Sequence, residues 1–98
     1  MKINKTQNAA TLNIALEGRL DTSTAPELEA ELKSSLDGAS ELILDMEKLD
    51  YISSAGLRVL LSAQKVMMKK DGMKVIHVND TVMEIFEVTG FSDILTIE

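Results

Sequence analysis

Ser53-Ser54-Ala55-Gly56 is the stretch of this chain best suited to chemistry: two adjacent hydroxyls and a glycine stand directly ahead of an apolar run, with Arg58 four residues beyond Ser54. A serine there reads first as a helix N-cap, whose oxygen accepts one of the orphan N–H groups of the first turn for about 1 kcal/mol. Two hydroxyls exceed what one cap needs. Gly56 in the first turn costs about 1 kcal/mol relative to alanine, and its missing side chain would clear backbone for close approach by another chain. A phosphate on Ser54 would sit at the positive end of a helix dipole, where anions are favoured, with Arg58 one turn away. The site can therefore hold a phosphoserine without a change of fold.

Other reactive groups are few. Asp21 and Asp45 each stand at a strand end, where an aspartate ordinarily caps the following turn or helix; as a pair beside a phosphate position they could also hold Mg²⁺, and Asp21 would shape the face next to Ser54. His77, the only histidine, stands among Val75, Ile76 and Val78 and reads as a structural strand residue. With no cysteine there is no thiol nucleophile and no thiolate metal site. A Ser-His-Asp arrangement would depend on His77 alone, and no G-x-x-x-x-G-K-[ST] phosphate loop exists. The acidic strand ends invite comparison with an aspartyl-phosphate receiver, but this chain is short, opens with a hairpin, and lacks adjacent acidic residues after its first strand. The residues thus suggest a binding module rather than an enzyme, with no cofactor and no resident metal.

Charge and hydropathy narrow the partners. Ten Lys and Arg against sixteen Asp and Glu leave a net charge of −6, the wrong sign for a surface that tracks nucleic-acid phosphates. No apolar run approaches the roughly 20 residues that cross a bilayer, and Met1 to Asn8 lacks the apolar stretch of a secretory signal. The expectation is a cytoplasmic domain without membrane insertion, its oligomeric state left open.

The elements that must position Ser54 follow from two alternating periods. Leu12, Ile14 and Leu16 alternate with polar or small residues, a strand signal, and Met1 to Lys5 is expected to pair with it as an edge strand. Thr24 is the expected N-cap of a first helix, with Glu27 three residues on, Pro26 in the first turn, and Ala25, Leu28, Leu32 and Leu36 at helical spacing; Asp37-Gly38 stops it. Leu42-Ile43-Leu44, ending at Asp45, suits a strand buried on both faces. Met46 to Ser53 is expected to be a loop, followed by a second helix from Leu57 to about Lys70. That helix is apolar over a wide arc, of which one face must meet the sheet. Val75 to Val78 reads as another buried strand, Asn79 or Asp80 as the cap of a third helix ending near Gly90, and Ile94 to Ile97 as a last strand. The β-β-α-β-α-β-α-(β) order predicts one α/β domain over residues 1–98: a mixed four- to five-stranded sheet with an N-terminal hairpin, three to four helices and right-handed crossovers.

Leu49-Asp50-Tyr51-Ile52-Ser53-Ser54-Ala55-Gly56-Leu57-Arg58-Val59-Leu60-Leu61 resembles the phosphorylation-site signature of anti-sigma factor antagonists, single-domain members of the STAS family. Gly18-Arg19-Leu20-Asp21-Thr22-Ser23-Thr24-Ala25, Leu42-Ile43-Leu44-Asp45 and Gly90-Phe91 match the family's other stretches in order and spacing, so the resemblance covers the whole chain. It implies a STAS-like fold and a switchable module. The unphosphorylated form would bind an anti-sigma factor that is also a serine kinase, freeing a sigma factor; phosphorylation would end the interaction until a serine phosphatase removes the group. The implied acceptor is Ser54. Where the family usually has Asp and a second hydroxyl flanking the acceptor, this chain has Ser53 and Ala55, which makes Ser53 a rival acceptor. The implied binding surface comprises Asp21, Thr22, Ser53, Ser54, Ala55, Gly56 and Arg58. The alternative is a STAS scaffold subunit of a lipid-transport or sensory assembly, without a sigma factor.

Overall fold

A computed structural model describes all residues, 1–98. Five strands line up in chain order: β1 (Lys2–Asn8), β2 (Thr11–Leu20), β3 (Glu41–Ile52), β4 (Gly72–Ile76) and β5 (Thr96–Ile97). β1 and β2 form the expected antiparallel hairpin, and every later neighbour is parallel. Three helices make the crossovers: α1 (Ala25–Ser35), α2 (Ser54–Met67) and α3 (Asp80–Thr89). Right-handed crossovers between strands that advance always in the same direction place all three helices on one face of the sheet.

The core lies between that face and the helices. Leu12, Ile14 and Leu16 of β2, Leu42, Leu44 and Met46 of β3, and Met73 and Val75 of β4 point into it, against Leu28 and Leu32 of α1, Leu60, Ala63 and Met67 of α2, and Val82 and Phe86 of α3. The intervening residues Asn13, Ala15, Ile43, Asp45, Lys74 and Ile76 are only half-buried. The strands are therefore not buried on both faces, as their short apolar runs suggested; the period of two already present in Leu42 and Leu44 is what the fold uses. Met67 fills the core, whereas Met68 is exposed.

The segment from Met46 to Ile52 is a strand, not a loop. β3 runs on to Ile52 beside β2, but its register against β2 slips by one residue between Ala15 and Glu17 and again between Gly18 and Arg19. Each slip inserts an extra residue into β3, a β-bulge. The buried positions consequently fall at Met46, Leu49 and Ile52, three apart, a spacing that hides the strand from any period-two reading. Opposite the bulges Gly18 takes a φ of 101°, a conformation open to glycine at little cost.

The helix ends differ in detail from expectation. α2 starts at Ser54 and finishes at Met67, and β5 is confined to two residues. Thr24 precedes α1 but its hydroxyl caps no helical N–H; it accepts instead from the Asp21 N–H at 2.8 Å and donates to the Arg19 carbonyl at 2.7 Å. α1 passes into a short 3₁₀ turn at Leu36–Gly38, where the Lys70 ammonium donates to the Leu36 and Ala39 carbonyls at 2.6 and 2.8 Å. Asn79 caps α3, its Oδ1 accepting from the Val82 N–H at 2.9 Å, and Gly90 ends that helix in the left-handed region at φ 82°. No helix is long and apolar enough to cross a membrane.

Candidate functional site

The bulged end of β3 delivers Ser53 and Ser54 to the carboxyl edge of the sheet, beside the turn that leaves β2. One hydrogen bond joins the two: the Ser53 N–H donates to the Leu20 carbonyl at 2.9 Å. The β2–α1 turn is fixed from within. Asp21 Oδ1 accepts from the Ser23 N–H at 3.0 Å, the Ser23 hydroxyl at 2.8 Å and the Thr24 N–H at 3.2 Å. The Ser23 hydroxyl is the largest influence on Asp21 and holds its carboxyl below the ordinary aspartate range; partial desolvation pushes the other way, and the amides of Ser23 and Thr24 and the Thr24 hydroxyl lower it further. Asp21 is thus a fixed negative charge at this edge.

The two serines have different duties. Ser53 is the N-cap of α2: it is extended, half-buried, and its hydroxyl accepts from the Gly56 N–H at a long 3.5 Å. Ser54 occupies the first helical position, is exposed, and its hydroxyl bonds nothing in the chain. Sequence reasoning expected Ser54 itself to be the cap; the cap lies one residue earlier because the strand continues to Ile52 and leaves Ser53 as the last extended residue. Ala55 is half-buried and Arg58 exposed. With Thr22, Ala25, Pro26 and Glu29 they border a recess of about 370 Å³ between α1 and α2.

Gly56 does not face outward. A Cβ built on it would lie 2.7 Å from Leu20 Cγ and 2.8 Å from Ile52 Cγ1, well inside the ordinary carbon–carbon contact of about 3.5–4.0 Å. The glycine lets the first turn of α2 rest on the ends of β2 and β3 within its own chain. The expectation that it clears backbone for another chain is corrected accordingly; it sets the height of Ser54 above the sheet.

Asp21 and Asp45 do not form a pair. Asp45 lies within β3, seven residues before its end, because β3 continues beside β2 to Ile52; it is the last residue of β3 paired with β4. Its Oδ1 accepts from the Glu47 N–H at 3.0 Å and lies 3.0 Å from His77 Nδ1. Nor is His77 mid-strand: it follows β4, exposed, at φ 57°. Asp45, Glu47 and His77 offer three ligand atoms within 4.8 Å of one another on the sheet face away from the helices. This set, half-buried at Asp45 and exposed at Glu47 and His77, is distinct from the serine edge, and surface carboxylates so grouped are common without an ion.

Two residues at the serine edge escaped the sequence reading. Arg19 and Tyr51 are register partners across β2 and β3, and the guanidinium lies 4.5 Å from the Tyr51 ring centroid. Arg19 Nε also stands 3.8 Å from Asp21 Oδ2. No sequence signal could have joined them, since their pairing exists only after both bulges have shifted the register.

The family model described as "Mlab, STAS domain" matches residues 3–96, nearly the whole chain. This chain belongs to the STAS domain family. Among its STAS relatives is BtrV of Bordetella bronchiseptica, described as a candidate anti-sigma factor antagonist, 37% identical over 99 residues that span 99% of this chain and 85% of that protein. The anti-sigma-B factor antagonist of Staphylococcus aureus is 28% identical over 97 residues, 97% of this chain and 90% of its own. The solved structure of the Bacillus cell fate determinant SpoIIAA in its phosphorylated form superposes with a TM-score of 0.76 over 99% of this chain and 91% of that one, at 17% identity. At that identity the superposition establishes the shared STAS fold, and the mixed five-stranded sheet with its three helices is that fold.

Proposed function

We propose that this STAS domain is an anti-sigma factor antagonist, a non-enzymatic cytoplasmic switch. Unmodified, it binds an anti-sigma factor that is also a serine kinase, through the surface around Asp21, Thr22, Ser53, Ser54, Ala55 and Arg58, and so frees a sigma factor. Gly56 supports that surface from beneath. Phosphorylation of Ser54 ends the interaction, and a serine phosphatase restores it. The names of the relatives support the class of partner. The observation that carries the choice of acceptor is the division of labour between the serines: Ser54 is exposed with a free hydroxyl, while Ser53 is half-buried and committed to the cap.

The mechanism is local charge. A phosphoserine carries about −1.5 to −2 charges at pH 7, and here it would join the fixed charge of Asp21. Desolvating and repelling that group in an interface for a penalty near 3 kcal/mol weakens binding on the order of a hundredfold. No refolding is required, because the modified atom already points into solvent.

The test is intact-mass analysis after incubation with the cognate anti-sigma kinase and Mg-ATP, on wild type, Ser54→Ala and Ser53→Ala. One added phosphate, lost only in Ser54→Ala, is the expected result. Loss only in Ser53→Ala moves the acceptor to the cap residue. An unmodified wild type, with a kinase active on another substrate, refutes the switch and leaves a STAS scaffold of a lipid-transport or sensory assembly.

A further inference from the structure

Three charged groups near the serine edge already have partners. Arg19 stacks on Tyr51 and leans on Asp21. Asp21 Oδ1 is saturated by the turn it organises. Glu29, which borders the same recess as Arg58, is paired with Lys33 at 3.8 Å. Arg58 is the exception: it is exposed and makes no ion pair, and no other cation occurs on α2 before Lys65. It stands four residues after Ser54, so the two side chains share one helix face with Cβ atoms about 5–6 Å apart. A guanidinium at that spacing can take two phosphate oxygens with its fork.

From this we infer that the switch acts by withdrawing Arg58. In the unmodified protein the free guanidinium is presented to an acidic group of the anti-sigma partner. In the modified protein it is captured by the phosphate on Ser54 of its own helix. Phosphorylation then does two things to the surface at once, adding negative charge and removing the positive charge that the partner reads. This deepens the proposed function and rests on it. It predicts coupling between the two residues, because a variant without Arg58 has nothing left to withdraw.

The experiment installs phosphoserine at position 54 by genetic-code expansion, so that no kinase is needed, in wild type and in Arg58→Gln. Arg58 is exposed, and unchanged thermal denaturation of the unmodified variant checks that its fold is intact. Phosphorus NMR titration of the phosphoserine comes first. Pairing with Arg58 stabilises the dianion, so the second phosphate pKa is expected to lie lower in wild type than in Arg58→Gln; superimposed curves overturn the inference. Dissociation constants for the anti-sigma partner complete a double-mutant cycle. Losing a desolvated charge-assisted contact should weaken the unmodified variant about tenfold. The phosphate, expected to weaken wild type about a hundredfold, should weaken Arg58→Gln only about tenfold. Equal phosphate penalties in the two backgrounds overturn the withdrawal of Arg58. A chain that binds no anti-sigma factor in any form refutes the proposed function instead, and the phosphorus titration still decides whether Arg58 holds the phosphate.

Discussion

Gly56→Ala tests whether the glycine of the serine motif is there for packing. The added methyl carbon would meet Leu20 Cγ at 2.7 Å, Ile52 Cγ1 at 2.8 Å and Leu20 Cδ2 at 3.0 Å. Neither side chain can swing into solvent, since Leu20 is 0% and Ile52 1% exposed. Relieving the overlap must therefore lift the first turn of α2 or rearrange the strand ends, an overpacking cost of about 2–3 kcal/mol. Replacing a helical glycine by alanine returns about 1 kcal/mol, so the net loss should be about 1–2 kcal/mol. For a domain of this size 1 kcal/mol corresponds to a shift of roughly 4–8 °C, so Tm should fall by about 5–15 °C in scanning calorimetry. Gly38→Ala is the control. Its Cβ meets nothing within 4 Å and its φ lies outside the left-handed region, so it should be neutral or stabilising by up to about 1 kcal/mol. A Gly56→Ala protein as stable as wild type would refute the packing argument and return Gly56 to the outer surface.

The other junctions make equally specific demands. Asp21→Asn should destabilise the protein at neutral pH. Because the folded-state pKa of Asp21 is lowered, its contribution is present above the ordinary aspartate value of about 3.9 and is lost as pH falls through the folded-state value. The difference between wild type and variant in urea melts should accordingly shrink on acidification, and a difference that grows would contradict the assignment. Lys70→Met leaves the Leu36 and Ala39 carbonyls without their ammonium donor and should cost about 1–2 kcal/mol in the urea midpoint, whereas Lys69→Met, which makes no side-chain bond, should cost little. Asn79→Ala removes both the α3 cap and the 2.7 Å bond from its amide to the Leu49 carbonyl in the bulged part of β3. A loss of about 1–2 kcal/mol is expected, with faster amide exchange at both the start of α3 and residues 47–50.

Amphipathic periodicity exposed α1, α2 and α3, and alternation exposed β2 and the buried residues Leu42 and Leu44, because each of these patterns depends only on neighbours along the chain. The hairpin and the order of crossovers followed from the same local signals. The second half of β3 did not, since its bulges move the buried residues to a spacing of three. The cap was misplaced by one residue for the same reason: only the continuation of β3 to Ile52 makes Ser53 the last extended residue. Asp45 is separated from Asp21 because β2 and β3 continue as a pair from Ala15 and Asp45 to Leu20 and Ile52, and His77 leaves the sheet because β4 ends at Ile76, opposite Asp45.

By itself, then, the sequence determined the family, the βα order and the small set of residues around Ser54, because those reside in local patterning and in a motif whose members are adjacent. The tertiary structure decided which serine is free, why position 56 has no side chain, and that Arg58 is unpaired while Arg19 is stacked. Each of these depends on contacts between β2, β3, α1 and α2, whose relative register is set by bulges and by one backbone bond from Ser53 to Leu20. Steric exclusion and hydrogen-bond commitment are properties of atoms brought together from distant positions, and no spacing along one chain segment encodes them.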